Sequence, residues 1–417
     1  MSKSYEQLRN DFQVFEYRGF DFSISGTTIE MQFHFATGIY EFHPKMQLNL
    51  GKYAVAPLCE EDIHGIIFQI GLIELISYWK CTCSPTLLVR PYQLDEEMQK
   101  WWKKLYFNGL GEFFYQNKIQ ATIDDFLQFR FEEGTPAAST LNYPHLGESE
   151  RVIVPIGGGK DSIVTLEALR QKKRVIPFII NPRGATLDCA RIAGFAGSED
   201  IVVLQREISP QLLELNKQGF LNGHTPFSAM LSFYTLLVSY GTGTRDVALS
   251  NESSANEPTI PGTKINHQYS KTLEYEEDFR TYVRSFLNDC NHYYSFLRPY
   301  TELQIAEMFA QHPQYFSVFK SCNAGSKENK WCCNCSKCLF AYIILSPFIN
   351  DDTMISIFGE DLLDKPELQQ YFDELRGVAP NKPFECVGTI DEVNKALEMI
   401  RESRKGKYLI SRLGDRD

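Results

Sequence analysis

The chain has 417 residues, which exceeds the size at which one hydrophobic core usually stops growing, so two or three packed units are expected. Hydrophobic residues make up 43% and charged residues 23%, which is typical of folded globular proteins and excludes disorder for most of the chain. The net charge of −11 repels a phosphate backbone. The nearest basic run, residues 401–407, is interpreted as a solvated helix face, so nucleic acid is not an expected partner.

The first 18 residues lack the basic and apolar regions of a secretory signal, which predicts a cytoplasmic protein. The most apolar stretch, residues 63–79, is interrupted by His64, Gln69 and Glu74. It is therefore predicted to be a buried amphipathic helix rather than a membrane span, and no membrane partner is expected. The 11 cysteines form an odd number, and in a reducing compartment they are poor evidence for disulfides.

Short runs of alternating apolar and polar residues, broken by Gly26 and Gly38, occupy residues 12–50 and predict an antiparallel meander. Helical periodicity follows over residues 60–123. Residues 136–150 have no strong period and are interpreted as a linker. Together these patterns predict a smaller α+β N-terminal domain, with antiparallel strands followed by helices, over residues 1–140.

After the linker, short apolar runs alternate with longer helical ones, which is the pattern of parallel strands joined by crossover helices. The prediction is a Rossmann-like α/β domain with a parallel sheet over residues 150–320. A cysteine knuckle and a helical region are expected over residues 321–417. The predicted strands are residues 152–156, 175–180, 201–204 and 247–250, with helices from Ser162, near Leu187 and up to Tyr240.

Three glycines, Gly157, Gly158 and Gly159, directly follow the first of these strands and precede a helix. Glycines let backbone N–H groups approach an anion, and the start of the helix adds its positive dipole end. The sequence therefore predicts a phosphate cradle. A Walker A loop is excluded by Val154 and Asp161, and a dinucleotide fingerprint is excluded by the serine that follows Asp161.

The loop, from Gly157 through Lys160 and Asp161 to Ser162, resembles the S-G-G-x-D-S signature of the PP-loop ATP pyrophosphatases, with Gly157 in place of the first serine. This resemblance implies that Lys160 and Ser162 contact the β- and γ-phosphates of ATP. It also implies that Asp161 holds Mg²⁺ and that Asn181 lies near adenine. The reaction implied is attack of a substrate oxygen on the α-phosphorus.

Four cysteines, Cys322, Cys332, Cys335 and Cys338, are spaced C-x9-C-x2-C-x2-C, with Cys333 as an extra thiol. Two overlapping C-x2-C turns and one distant thiolate can form a tetrahedral cage, so the pattern predicts a structural Zn²⁺ site. An iron–sulfur cluster, as in some PP-loop relatives, and buried unligated cysteines are the alternatives.

Loops rich in Asn, Ser and His follow the predicted strand ends, where ligand contacts are common. As a set they resemble the UDP-N-acetylmuramoyl-L-alanyl-L-glutamate epimerase (MurL) family. The resemblance implies ATP-dependent inversion of the terminal L-glutamate of UDP-MurNAc-L-Ala-L-Glu, with AMP and pyrophosphate as products, in peptidoglycan precursor synthesis. The segments that carry it are residues 222–226, 250–256, 266–271, 297–299, 321–323 and 382–388.

Inversion at Cα needs an acid and a base, or one mobile group that serves as both. The sequence does not choose among the candidate groups, which are His224, Glu252, His267, Lys271 and Cys386. Guanidinium groups match carboxylates and diphosphates, so basic and polar residues of the same loops are candidate substrate contacts. These are Arg183, Asn251, His267 and Arg298.

Two other functional classes stay open at this point. One is a PP-loop enzyme of tRNA or deazaguanine modification, since some of these carry a similar four-cysteine knuckle, although the acidic charge argues against the tRNA form. The other is a non-catalytic nucleotide-binding protein that binds ATP without releasing pyrophosphate.

Overall fold

The structure is a computed structural model that describes residues 3–55 and 58–414. Residues 1, 2, 56 and 57 of the predicted N-terminal domain and the last three of the predicted C-terminal region lie outside the described residues. The chain divides into two compact units. Unit 1 comprises Met1–Ile153, Ser198–Val247 and Tyr269–Tyr294, and unit 2 comprises Val154–Gly197, Ala248–Gln268 and Ser295–Asp417.

The described residues form strands β1 Val14–Ser25, β2 Thr28–Thr37, β3 Tyr40–Phe42, β4 Lys45–Asn49, β5 Thr86–Val89, β6 Gln128–Arg130, β7 Arg151–Pro155, β8 Arg174–Ile180, β9 Val202–Glu207, β10 Asp246–Leu249 and β11 His292–Ser295. The helices are α1 Tyr5–Asp11, α2 Glu60–Trp79, α3 Glu96–Gly109, α4 Gly111–Gln116, α5 Lys160–Arg170, α6 Ala185–Ile192, α7 Pro210–Lys217, α8 Phe227–Thr242, α9 Leu273–Phe286, α10 Glu302–Ala310, α11 Ser336–Leu345, α12 Asp351–Phe358, α13 Gln369–Arg376, α14 Ile390–Ile400 and α15 Tyr408–Ser411.

The antiparallel meander predicted for residues 12–50 is confirmed in unit 1. Strands β1 and β2 pair antiparallel, with Phe20 opposite Phe33, and β2 also pairs antiparallel with β3 and β4. The alternating sequence places every second side chain of β2 in the core. In unit 1 the strand order is β9-β4-β2-β1-β5-β6.

Two features of the strands in unit 1 were not predicted. Strand β9 pairs antiparallel with β4, a partner that the alternation after residue 150 did not indicate. Strand β5 interrupts the region expected to be helical, and it pairs parallel with β1 and β6. Strand partners depend on residues far away in the sequence and not on the local period, so the local pattern could not indicate either feature.

Helix α2 is buried on all sides and is not amphipathic as predicted, because every residue from Gly65 to Trp79 is buried. It contacts β1 and β2 as well as α8, all within unit 1. The interrupting polar residue Glu74 is paired inside unit 1, with Arg206 Nη2 at 2.7 Å and Tyr234 Oη at 3.1 Å from its carboxylate oxygens. A buried charge persists only with such partners. Within residues 3–55 and 58–414, no helix has the combined length and apolar character of a membrane span.

The strand–helix alternation predicted after residue 150 is confirmed. Strand β7 is followed by α5 and β8 by α6, while β10 pairs parallel with β7. The Ile156 N–H donates to the Phe178 carbonyl at 2.8 Å and joins the ends of β7 and β8 in unit 2. The described strands thus form both parallel and antiparallel pairs, and residues 336–411 are mainly helical.

Candidate active site

The glycine loop lies between the end of β7 and the first turn of α5. Gly158 has φ +80°, and a Cβ added there would come within 2.9 Å of the Ala185 carbonyl carbon, so this position requires glycine. Gly157 is exposed, and an added Cβ would meet no atom within 4 Å. The Ser162 hydroxyl donates to the Gly159 carbonyl at 2.9 Å and braces the loop. The loop therefore has one packed side and one open side.

Lys160 is buried at the start of α5 between two carboxylates. Its Nζ lies 2.5 Å from Asp161 Oδ1 and 2.5 Å from Glu302 Oε2. Burial opposes the charge on Lys160, but these two carboxylates raise its pKa overall, so it stays an ammonium group. A fixed cation is thereby held beside the loop that is expected to receive phosphates.

Glu302 was not among the residues predicted from the sequence. Burial raises its pKa to about 8, and the nearby Asp161 and Glu252 add to the rise while Lys160 opposes it. Its backbone N–H donates to Glu392 Oε1 at 2.8 Å. A sequence signal did exist, because Glu302 shares the buried face of α10 with Ile305 and Phe309, where an acidic residue is out of place.

Three of the predicted residues meet around Ser295 in unit 2. Asn251 Nδ2 and Arg298 Nη2 both donate to Ser295 Oγ, at 3.0 and 3.2 Å. Arg298 Nη1 also donates to the Glu252 carbonyl at 2.7 Å. Glu252 is 3% exposed, and its carboxylate accepts a hydrogen bond from Ser254. The Asn-Ser-rich loop after β10 is therefore held in a fixed shape beside the carboxylate of Glu252.

His267 and Cys386 lie on two segments that contact each other within unit 2. The His267 backbone N–H donates to Thr259 Oγ1 at 3.0 Å, and the next side chain, Gln268, donates to the Val387 carbonyl at 3.3 Å. Cys386 and the His267 side chain are half-buried. A Cβ on Gly388 would lie 3.1 Å from Glu302 Cγ, which places Gly388 next to the glutamate that pairs with Lys160.

Asn181 and Arg183 are exposed and follow the end of β8, at the same edge as the glycine loop. Asn181 has φ +47°, a left-handed conformation that Asn tolerates better than most residues. The Arg183 backbone N–H donates to Thr186 Oγ1 at 3.0 Å and shapes the turn into α6.

The other two predicted residues, His224 and Lys271, belong to unit 1. His224 Nδ1 lies 3.5 Å from Glu112 Oε2, and Lys271 is half-buried in a 3₁₀ turn. Lys80 lies in the same part of unit 1, where its Nζ donates to the Gly223 carbonyl and to Thr225 Oγ1. Burial lowers the pKa of Lys80 to about 8. Lys80, which directly follows α2, was not among the residues predicted from the sequence, because no motif marks it.

Four cysteine sulfurs converge as the spacing predicted. The Sγ atoms of Cys322, Cys332, Cys335 and Cys338 all lie within 4.8 Å of one another. Cys338 Sγ is 3.7 Å from Cys332 Sγ and 3.4 Å from Cys335 Sγ, while a tetrahedral zinc site requires sulfurs about 3.8 Å apart. The extra thiol, Cys333, donates instead to the Phe358 carbonyl.

Backbone N–H groups and neighbouring thiols surround these sulfurs. The backbone N–H groups of Gly325 and Cys332 point at Cys322 Sγ, at 3.2 and 3.4 Å. The hydrogen bond between Cys335 and Cys338 lowers the pKa of Cys335 to about 5 and raises the pKa of Cys338, while burial raises the pKa of Cys332 to about 11. The donor set fits a zinc ion in both number and geometry.

Comparison with known proteins identifies the family. The model of the MurL N-terminal domain matches residues 6–296, and that of the MurL C-terminal domain matches residues 318–415. The chain belongs to the MurL family. The MurL resemblance predicted from the polar loops is thereby confirmed.

Relatives in this family share about a third of their residues with the chain. A protein of Xanthomonas oryzae pv. oryzae is 35% identical over 81% of this chain and 75% of its own length. One from Salinispora tropica is 33% identical over 95% of this chain and 86% of its own length. One from a Micromonospora species is 35% identical over 81% of this chain and 75% of its own length. All three are named UDP-N-acetyl-alpha-D-muramoyl-L-alanyl-L-glutamate epimerase.

Proposed function

We propose that this protein is a PP-loop enzyme that inverts the terminal L-glutamate of UDP-MurNAc-L-Ala-L-Glu, with conversion of ATP to AMP and pyrophosphate. The substrate and the inversion follow the printed names of its MurL relatives. The use of ATP is supported by one observation above all. Lys160 is buried between Asp161 and Glu302 in the first turn after a glycine loop with an open side.

Adenylation gives this reaction a physical rationale. Removing the α-proton beside an ionised carboxylate creates a dianion, because the carboxylate is already negative and delocalises the new carbanion charge poorly. In the proposed first step, an oxygen of the glutamyl α-carboxylate bonds to the α-phosphorus of ATP, and pyrophosphate leaves. The carbonyl of the resulting acyl adenylate carries no negative charge and can delocalise the carbanion, so loss of the Cα proton becomes easier.

The later steps invert Cα and release the product. A base takes the Cα proton, a proton returns to the opposite face of Cα, and water cleaves the acyl adenylate to the D-glutamyl carboxylate and AMP. The groups proposed for the proton transfers remain His224, Glu252, His267, Lys271 and Cys386. Of these, Glu252 is a buried carboxylate in unit 2 whose charge helps to raise the pKa of Glu302, the partner of Lys160.

The roles proposed for the loop residues follow from their positions. Lys160 and Ser162 would hold the β- and γ-phosphates, and Gly157 provides the open side for their approach. Asp161 would hold Mg²⁺, which supplies charge neutralisation to the departing pyrophosphate. Glu302 would position the Lys160 ammonium group before ATP binds. Asn181 is proposed to lie near adenine.

Substrate recognition is proposed for Arg183, Asn251, His267 and Arg298. Asn251 and Arg298 share Ser295 as a hydrogen-bond acceptor, which fixes the orientation of both side chains. The cysteine centre is proposed to hold a structural zinc ion through Cys322, Cys332, Cys335 and Cys338. The protein is proposed to act in the cytoplasm, where peptidoglycan precursors of this type are made.

The test is incubation of the protein with UDP-MurNAc-L-Ala-L-Glu, ATP and Mg²⁺, followed by chiral analysis of the glutamate. The expected result is D-glutamate, one pyrophosphate per turnover, and uptake of deuterium at Cα from D₂O. Retained L-glutamate without deuterium at Cα would refute the inversion. A protein that binds ATP but releases no pyrophosphate with this acceptor would instead be the non-catalytic nucleotide-binding protein.

A further inference from the structure

The segment between the first two cysteines of the metal site also contacts the glycine loop. Residues 320–332, here called the bridging segment, begin just before Cys322 and end at Cys332. The Lys320 N–H donates to the Gly158 carbonyl at 2.9 Å. A Cβ on Gly159 would lie 3.3 Å from Ser321 Cβ, so the two chains pack closely here. One end of the bridging segment therefore lies directly against the loop.

The middle of the bridging segment contacts the start of α6. Asn329 Oδ1 accepts a hydrogen bond from the Ala185 N–H at 2.8 Å, and Asn329 Nδ2 donates to Asp188 at 3.4 Å. An added Cβ on Gly184 would come within 2.3 Å of Asn329 Cγ, which shows how tightly this side chain fits. The same turn of α6 packs against Gly158.

Gly158 thus lies between the start of the bridging segment and the first turn of α6, and Asn329 links these two elements. Its carbonyl accepts from Lys320, while its Cα lies against Ala185, whose N–H is bonded to Asn329. These contacts fix both the path of the loop and the turn that follows β8. Cys322 and Cys332 lie at the two ends of the part of the bridging segment that contains Asn329.

We propose that the cysteine centre positions the ATP loop, because a metal ion bound by Cys322 and Cys332 closes the bridging segment into the shape that holds Gly158 and Ala185. Closing a short loop removes much of its conformational freedom, and metal binding couples that ordering to the fold. Lys320 and Asn329 are then positioning residues for the phosphate site. The effect on ATP binding rests on the proposed function, whereas the ordering of the loop by the metal ion does not.

The experiment compares zinc-loaded protein with protein stripped of zinc under reducing conditions, using the full chain. Hydrogen–deuterium exchange is followed in peptides that cover residues 156–162 and 181–192, and ATP affinity is measured by calorimetry. Two hydrogen bonds of ordinary strength correspond to about a tenfold change in a local equilibrium. We expect exchange in both peptides to become about tenfold faster without zinc, while peptides from residues 14–37 in unit 1 stay unchanged.

A second variant separates positioning from metal binding. Asn329 has φ +51°, so Asn329→Gly keeps the backbone conformation while removing the amide that holds Ala185. It should bind zinc as the wild type does, exchange faster over residues 181–192, and bind ATP several-fold more weakly. Lys327→Ala, at an exposed neighbouring position, should behave like the wild type.

Unchanged exchange over residues 156–162 and 181–192, both after zinc removal and in Asn329→Gly, would overturn the inference. The proposed function fails differently, because zinc-loaded wild-type protein would then not bind ATP, and the exchange data would still decide whether the cysteine centre orders the loop.

Discussion

Replacing Glu302 by Gln tests how the buried carboxylates control Lys160. Glu302 is 3% exposed, and its Oε2 lies 2.5 Å from Lys160 Nζ. Gln has nearly the same shape and keeps an oxygen that accepts from Lys160, but it cannot ionise. The substitution therefore mimics the protonated form of Glu302 at every pH.

How the stability of the wild type changes with pH follows from the pKa of Glu302, which rises from an ordinary 4.5 to about 8 on folding. Between these two values the native carboxyl holds a proton that the unfolded chain has released. The free energy of unfolding therefore falls as pH rises through this range, at about 1.4 kcal/mol per pH unit. From about pH 6.5 to pH 8.0 the wild type should lose about 2 kcal/mol relative to Glu302→Gln.

The assay is calorimetric unfolding of both proteins from about pH 4.5 to above pH 8, combined with pyrophosphate release at saturating substrate. Near pH 4.5 the two proteins should be similarly stable, and the variant should become progressively more stable than the wild type up to about pH 8. Wild-type activity should fall above pH 8, where the ionised Glu302 holds Lys160 more tightly, and the variant should lack that decline. Parallel pH profiles of stability for the two proteins would refute the reasoning.

Three further substitutions have matched controls or a simple readout. Asp161→Asn removes the proposed Mg²⁺ ligand and should slow pyrophosphate release by on the order of 10²–10³-fold without unfolding; unchanged turnover would show that the loop is misassigned. Gly158 has φ +80°, so the Gly158→Ala variant should bind ATP at least about tenfold more weakly, as measured by calorimetry. The Gly157→Ser variant, changed on the open side of the loop, should bind ATP normally. Equal losses of ATP affinity in the two variants would contradict this prediction. Cys335→Ser should abolish the binding of about one zinc ion per chain in metal analysis, while Cys333→Ser should retain it.

Local patterns in the sequence predicted much of the fold. The period of two over residues 12–50 and the strand–helix alternation after residue 150 both reflect which side chains face the core, and the structure has these elements. The amphipathic prediction for residues 63–79 was wrong, because α2 lies between β strands and α8 and is covered on both sides. Periodicity reports one apolar face well but cannot tell how many elements will cover a helix.

The candidate site was likewise predicted only in part from local patterns. The cysteine spacing predicted the four sulfurs that converge, since C-x2-C turns constrain their ligands locally. Asn251, Glu252 and Arg298 also come together, but through Ser295, which no motif indicated. The division of the chain at residues 140–150 and near 320, and the roles of the individual site residues, stay predictions.

By itself, the sequence determined the glycine loop, the cysteine cluster and the family, because each depends on residue types at fixed short spacings. Only the tertiary structure decided that Glu302 pairs with Lys160, since the two lie 142 positions apart in the chain. The same holds for Asn329, which reaches Ala185 across 144 positions. Such contacts depend on how helices and loops pack, and packing brings together residues whose separation in sequence carries no local signal.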